Sequence, residues 1–348
     1  MRRGVMRRFA LISWFCLCCV AQLAAGGDRL AVLEFFGRPT GGYCSAAGPA
    51  MRTLQSEMEG RAVLLEYDYD RFRDGRLARF WATGAQAAYL PLVMVGSGYR
   101  TTSGPDSYYN VYSGMLAAEL QRPPRADVKA YWRRAGSRVV TYITLLNSSA
   151  APFQPAKQAA VWIILYSEED IGVSHTWVRS TDREPLAGNL PPGASVGLAV
   201  DSYPQGVTNW QSLAGVALVE DRPGGAGAYD MIQAAQLEPV SFRADTEKLM
   251  LTPRQPEARV VFEGPHVLQW TATADVPWIE LQPSSGDPMD DLTVRLLEEE
   301  RPPEARFATV AVDADGDTMS FTAEIEVSVG GRVRRPRLRL SPDGSEPG

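Results

Sequence analysis

The chain has 348 residues, of which 45% are hydrophobic and 22% are charged. This composition is typical of folded proteins and argues against a collagen-like repeat or a wholly disordered chain. A single hydrophobic core seldom grows beyond about 250–300 residues, so the length predicts two or three domains. The formal net charge of −6 disfavours nucleic acid as a partner, because an acidic surface repels phosphates.

The N-terminal residues have the pattern of a secretory signal peptide. Arginines at positions 2, 3, 7 and 8 precede an apolar run over 9–20, and small residues follow at 24–27. Residues 1–26 are therefore predicted to be removed on export; an uncleaved anchor is the alternative, and lipid attachment a lesser one. Cleavage would remove the four arginines and no acidic residue, which lowers the net charge from −6 to −10. We expect a periplasmic or extracellular protein with no membrane span after cleavage.

Residues 28–122 alternate between strand and helix patterns. Apolar runs predict strands at 30–36, 62–67 and 92–95, and helical patterns cover 45–59, 71–82 and 106–120. Pro123 and Pro124 end the last helix. The alternation predicts an α/β layer fold for this part of the chain.

Beyond Pro124 the apolar pattern changes to a period of two. Strand candidates lie at 139–146, 159–166, 173–180, 195–201, 215–220 and 231–235, with a hairpin loop at 222–227. Strands in this arrangement, without helices between them, predict a β-sandwich domain over 125–240. A second β unit is predicted over 243–331. The arginine-rich residues 332–348 are predicted to be a basic disordered tail, with a contact to an acidic envelope surface as the alternative.

Cys44 is the candidate for chemistry. It would be the one cysteine left after signal cleavage, so no intramolecular disulfide is predicted. At the start of a helix, unpaired N–H groups favour a thiolate, so we expect its pKa to lie below the ordinary value of about 8.5. Dithiol exchange needs a second sulfur one turn away, and the residue three positions on is Ala47.

The two histidines, His175 and His266, are far apart in the sequence and form no zinc-binding pattern with Cys44. We predict that both are structural and that the protein takes no metal and no cofactor.

The strand at 30–36 and the following segment YCSAAGPA at 43–50 resemble the first strand, active-site loop and helix of the thioredoxin-like superfamily. The resemblance is closest to secreted bacterial proteins with Cys-x-x-Cys before Pro and Ala. The segment YLPLVMV at 89–95 is similar to the one that holds a cis-proline beside the active cysteine. The resemblance implies a thioredoxin-like domain over 28–122, with Cys44 as catalytic residue and Pro91 as the cis-proline. Because Ala47 replaces the second cysteine, it also implies a degenerate active site without dithiol activity.

The C-terminal unit carries a second resemblance. Residues 270–279, with Trp270 and Trp278, the turn PSSG at 283–286 and the strand at 306–310 resemble a BACON-type immunoglobulin-like domain. This implies a glycan or mucin as ligand, and leaves two roles open for the tryptophans, core packing or stacking on sugar. Residues 125–240 resemble, more distantly, the β-sandwich that follows a thioredoxin-like domain in some bacterial surface proteins.

These patterns together predict the fold class of an α/β thioredoxin-like domain followed by two all-β immunoglobulin-like sandwiches. For function they favour a secreted, non-catalytic binding or scaffold protein, whose partner is a protein or a glycan at the cell envelope. The alternative is an enzyme that uses Cys44 for monothiol exchange or peroxide reduction.

Overall fold

The computed structural model describes residues 28–325, except for residues 39, 73–74, 170, 241, 247, 265–267, 289 and 315–316. The predicted signal peptide over 1–26, His266 and the predicted tail over 332–348 lie outside the described residues. The chain divides into two compact units, and the division falls after Val240.

The first unit contains the helices of the described residues and two sheets. Its helices are α1 (Gly42–Glu57), α2 (Tyr69–Phe72), α3 (Ala78–Ala82) and α4 (Tyr108–Leu120), with single turns of 3₁₀ helix at Pro155–Lys157 and Trp210–Ser212. Its strands are β1 (Ala31–Gly37), β2 (Ala62–Asp68), β3 (Leu92–Val95), β4 (Arg100–Ser103), β5 (Ala126–Ala135), β6 (Arg138–Asn147), β7 (Ala160–Glu168), β8 (Thr176–Pro185), β9 (Ser195–Ser202), β10 (Leu213–Asp221), β11 (Asp230–Gln236) and β12 (Glu238–Pro239).

Within the described residues, a mixed eight-stranded sheet forms the centre of the first unit, in the order β11-β10-β7-β8-β2-β1-β3-β4. β1 and β2 are parallel, and so are β2 and β8, which meet where Glu66 pairs with Trp177. The other neighbouring strands are antiparallel. The sheet therefore combines strands that precede and strands that follow the predicted boundary at 122–125.

The two faces of this sheet are covered differently. On one face, α1 and α4 pack on β1, β2 and β3, with Met51 and Leu116 among the buried side chains. On the same face, the four-stranded sheet β12-β5-β6-β9 packs on β7 and β10, with Ile143 and Val200 in the core between the sheets. The opposite face carries a core that runs from β1 and β2 to β7 and β10 and includes Phe80 of α3. One continuous layer thus supports helices at one end and a second sheet at the other.

A buried ion-pair network joins the two halves of this sheet. Arg76 Nη2 donates to Glu34 Oε2 at 2.6 Å, and its Nη1 donates to Glu220 Oε2 at 2.9 Å. Arg79 Nε donates to the other oxygen of Glu220 at 2.9 Å. All four side chains are buried, so β1, the α3 region and β10 are joined by charge-assisted hydrogen bonds inside the core.

The predicted fold class is wrong. The chain is mostly β-sheet with few helices, and residues 28–122 do not form an α/β domain of their own ahead of a separate sandwich. The pairing of β2 with β8 extends the first strands into those of the following segment. The predicted helix over 71–82 is also replaced by the short helices α2 and α3.

The second unit is built from strands in its described residues. They are β13 (Arg243–Ala244), β14 (Lys248–Leu251), β15 (Glu257–Val260), β16 (Phe262–Glu263), β17 (Trp270–Ala274), β18 (Ile279–Gln282), β19 (Ser285–Gly286), β20 (Leu292–Leu296), β21 (Phe307–Ala314) and β22 (Asp317–Ile325). They form sheets in the orders β14-β22-β21-β17-β19, β15-β20-β18 and β13-β16. Trp270 and Trp278 are both buried, and Trp270 Nε1 donates to the Asp287 carbonyl at 2.7 Å. These tryptophans therefore pack in the core and are not available to stack on a sugar.

Candidate functional site

Cys44, the predicted catalytic residue, is the third residue of α1 and is 2% exposed. It packs in the core beneath α1 with Phe35, Tyr112 and Val173. Burial raises the pKa of the thiol, hydrogen bonding from the Arg38 backbone lowers it less, and the Glu66 carboxylate raises it. The predicted lowering of this pKa is wrong, because the side chain turns from the helix start into the core, where desolvation is the largest influence on the thiol.

Pro91 is buried immediately before β3, and its peptide bond to Leu90 is cis. Leu90 packs against the same core cluster that contains Cys44. The cis peptide bond before Pro91 therefore adjoins the core that contains Cys44. Both side chains are shielded from solvent, so neither is placed to contact a bound molecule.

The segment 171–175 encloses the buried carboxylate of Glu66, a residue of β2. Glu66 Oε2 accepts hydrogen bonds from the N–H groups of Val173 and Ser174 at 2.7 and 2.8 Å, and from the Ser174 hydroxyl at 2.9 Å. Burial raises the pKa of Glu66, although these three donors lower it. The segment is thus held in place by a side chain from a strand on the other side of the predicted domain boundary.

A half-open cleft of about 570 Å³ lies beside this segment. Its volume is within the range of small-molecule sites, about 300–1,000 Å³. Polar side chains line it from α1 and the turn that follows, from the end of β7, from the start of β8 and from the end of β11. These are Arg52, Gln55, Ser56, Glu59, Glu168, Glu169, His175, Thr176 and Gln236.

Hydrogen bonds fix the walls of the cleft. Arg52 Nη1 donates to the Val173 carbonyl at 2.9 Å and so ties α1 to the segment 171–175. Glu169 accepts from Arg179 Nη2 at 2.8 Å and from Ser212 Oγ at 3.1 Å.

His175, half-buried, has a φ of 65°, in a left-handed region that residues other than glycine seldom adopt. A strained backbone conformation of this kind persists where the surrounding contacts hold it in place. Such conformations are common at binding sites.

The cleft offers hydrogen-bond donors and acceptors of several kinds. Carboxylates accept, the guanidinium of Arg52 donates, and the amides of Gln55 and Gln236 do both. Among the described residues, no group of three or more histidine, cysteine, aspartate or glutamate side chains is arranged to hold a metal ion. The donors and acceptors of the lining suit polar recognition by hydrogen bonds.

The sequence pattern does not reveal this cleft. Among its lining residues, the pattern singles out His175, and predicts a structural role for it. The helix predicted over 45–59 has a polar side that includes Arg52, Gln55 and Glu59. A polar side of this kind is expected both for a cleft wall and for a surface that faces solvent. The other wall comes from β7, β8 and β11, which reach α1 through the pairing of β2 with β8.

No protein-family model matches the chain, and no curated protein matches it. Among solved structures it is similar to a protein from Agrobacterium tumefaciens, with 17% identity, 61% of this chain and 96% of that chain covered, and a TM-score of 0.40. It is also similar to domains 4 and 5 of the S-layer protein SbsC, with 12% identity, 32% and 65% covered, and a TM-score of 0.21. Tandem immunoglobulin domains of titin match with 10% identity, 58% and 96% covered, and a TM-score of 0.20.

The descriptions of these proteins name neither a thioredoxin-like nor a BACON-type domain. In the described part of the chain, no helix has the length and apolar character needed to cross a membrane. The chain is a mostly β-sheet protein with immunoglobulin-like neighbours among solved structures.

Proposed function

We propose that the protein is a secreted, non-catalytic binding protein, and that its cleft beside α1 binds a short glycan or a similar polyhydroxylated molecule. The observation that carries this proposal is the cleft itself: about 570 Å³, lined by polar side chains and held by hydrogen bonds. Export is supported by the N-terminal sequence pattern.

A glycan fits the lining because each sugar hydroxyl both donates and accepts hydrogen bonds. Glu59 and Glu168 can accept from hydroxyls, Arg52 can donate to ring and hydroxyl oxygens, and Gln236 can do both. A phosphate-rich ligand fits less well, because the carboxylates of the lining repel it. The walls are already held by hydrogen bonds, so little ordering is required when the ligand binds.

The alternative, an enzyme that uses Cys44, lacks support from geometry. A thiol attacks as an exposed thiolate, whereas Cys44 is buried and burial raises its pKa. We therefore propose a binding role for the cleft and no covalent step at Cys44.

A glycan array probed with the mature protein tests the proposal, followed by calorimetric titration of the retained sugars. Glu168→Ala and Gln236→Ala should each weaken binding by about tenfold, because a hydrogen bond to a charged or polar group contributes about 1–3 kcal/mol. Glu238→Ala is the control, since Glu238 is exposed on β12 and does not line the cleft. An array without retained sugars would refute the glycan proposal, and so would equal affinities for all three variants.

A further inference from the structure

The lining of the cleft carries more negative than positive charge. Three carboxylates line it, those of Glu59, Glu168 and Glu169, together with one guanidinium, that of Arg52. Glu169 is paired with the buried Arg179, whose Nη2 lies 2.8 Å from Glu169 Oε2. With histidine counted as neutral, the two remaining carboxylates against the guanidinium of Arg52 leave an excess of one negative charge.

Glu59 and Glu168 form no ion pair with a cationic side chain in the part of the chain that the structure describes. Arg52, the cation of the lining, donates through Nη1 to the carbonyl of Val173 instead of to either carboxylate. Both glutamates are exposed and line the cleft. Their carboxylates are therefore accessible to a ligand.

The surroundings of Tyr166 show the effect of this charge at one wall. Tyr166 also lines the cleft and is 5% exposed. Burial raises the pKa of its hydroxyl, and the carboxylate of Glu168 raises it further. Among the described residues, no cationic side chain offsets this effect on Tyr166. Glu168 therefore acts on this wall as an uncompensated negative charge.

The two unpaired carboxylates come from different elements of the fold. Glu59 lies in the turn that follows α1, and Glu168 is the last residue of β7. An ammonium group carries one positive charge and three hydrogen-bond donors, whereas a hydroxyl group is neutral and has one donor. Hydrogen bonds between ionised groups are stronger than those between neutral groups. These carboxylates therefore favour an ammonium group over a hydroxyl group.

We propose that the ligand of the cleft carries a protonated amino group, and that it is a short glycan of glucosamine units with free amines. This inference rests on the proposed function, from which it takes the glycan as ligand. One ammonium group balances the excess negative charge, and the sugar hydroxyls bind the amides of Gln55 and Gln236. Glu59 and Glu168 determine the preference for the amine.

The test compares two trisaccharides, the trimer of glucosamine and the trimer of N-acetylglucosamine, which differ only in acetylation of the amines. Calorimetric titration of the mature protein at about pH 6, below the ordinary pKa of an amine, measures both dissociation constants. The glucosamine trimer should bind at least about tenfold more tightly, because acetylation removes the charge and the ammonium donors. Equal affinities, or tighter binding of the acetylated trimer, would overturn the inference and leave the glycan proposal in place.

Variants locate the preference. Glu59→Gln and Glu168→Gln each remove one charge and keep the side-chain length, so each should lower the ratio of the two affinities at least about threefold. The double variant should abolish the preference. Glu238→Gln is the matched control, because it removes a charge from an exposed residue that does not line the cleft, and it should keep the ratio. An unchanged ratio in the double variant would overturn the inference.

Spermidine, an amine without hydroxyl groups, separates this inference from the proposed function. If spermidine binds, the double variant abolishes its binding and neither trisaccharide binds, the amine preference is supported and the glycan proposal is refuted. If none of the three compounds binds, both are overturned.

Discussion

At Cys44 two effects act on one thiol in opposite directions. The backbone and the charge of Arg38 favour the thiolate, while the core around Phe35 and Tyr112 removes the water that a thiolate needs. Burial is the larger effect, and it raises the pKa. Position on a helix is therefore insufficient to make a cysteine reactive.

We predict that Cys44 of the mature protein reacts with a maleimide at least about 100-fold more slowly when native than when unfolded in urea. Labelling requires a local opening of the core, which costs several kcal/mol in well-packed regions. Labelling kinetics followed by mass spectrometry measure this ratio. Equal rates in the two states would contradict the burial of the thiol.

Glu220 shows how burial and partners compete at a carboxylate. Burial alone would raise its pKa, but the guanidinium groups of Arg76 and Arg79 lower it from the ordinary 4.5 to about 2. Since the folded pKa is the lower one, ionised Glu220 stabilises the fold fully above about pH 4.5. This contribution is lost as the pH falls from there to about 2.

We expect the free energy of unfolding of the wild type to fall by about 3 kcal/mol more than that of Glu220→Gln between pH 5 and pH 2. Urea titrations at several pH values measure the difference. Because Glu220→Gln breaks a buried pair, its stability at pH 7 should already be lower by about 3–5 kcal/mol. Parallel pH profiles for the two proteins would refute the role of Glu220.

At the scale of elements, the segment 171–175 depends on a glycine beside a buried carboxylate. Gly172 has a φ of +72°, and a Cβ there would lie 2.5 Å from Glu66 Oε1. A side chain would therefore strain the backbone and displace the carboxylate that holds Val173 and Ser174. The wall of the cleft that contains His175 would move with it.

Gly172→Ala should lower the free energy of unfolding by about 2–4 kcal/mol, from backbone strain and steric conflict together. Gly136→Ala is the matched control, with a φ of +66° and no atom within 4 Å of the added Cβ. It should lose about 1–2 kcal/mol, the backbone cost alone. Chemical unfolding compares the two, and equal losses would show that the contact with Glu66 contributes nothing.

At the scale of the whole molecule, the eight-stranded sheet makes residues 28–240 one folding unit. Besides the network around Glu220, Arg29 Nη1 donates to the Ile232 carbonyl at 3.0 Å, and its Nη2 donates to the Met231 carbonyl at 2.8 Å. The strands of residues 28–122 therefore need partners from β7, β8, β10 and β11. A cut at 122–125 would expose the edge of β2, remove Glu220 from Arg76 and Arg79, and remove the carbonyls of Met231 and Ile232 from Arg29.

The fragment 28–122 should consequently lack a cooperative unfolding transition, whereas the fragment 28–240 should have one. A lone sheet edge and unpaired buried charges both oppose folding of the shorter piece. Circular dichroism during urea titration distinguishes the two fragments. A sigmoidal transition with native-like signal for 28–122 would contradict the single unit.

Much of the local structure was predictable from the sequence. The strand candidates at 139–146, 195–201 and 231–235 coincide with β6, β9 and β11, because alternation along a strand records which side chains face the core. The helix predicted over 45–59 corresponds to α1, because apolar residues at helical spacing mark the side that faces the core. Charge, cysteine count and the N-terminal pattern also follow from the sequence, since they require no contacts.

The tertiary structure decided what depends on contacts between residues far apart in the chain. The single pair of Glu66 with Trp177 joins β2 to β8 and converts two expected domains into one sheet. The segment 171–175, which this pairing brings to α1, contributes Val173 to the core around Cys44, and the Val173 carbonyl oxygen accepts from Arg52 beside the cleft. Periodicity indicates only which face of an element is buried. Pairing and packing determine what covers that face, and they decided where the cleft lies.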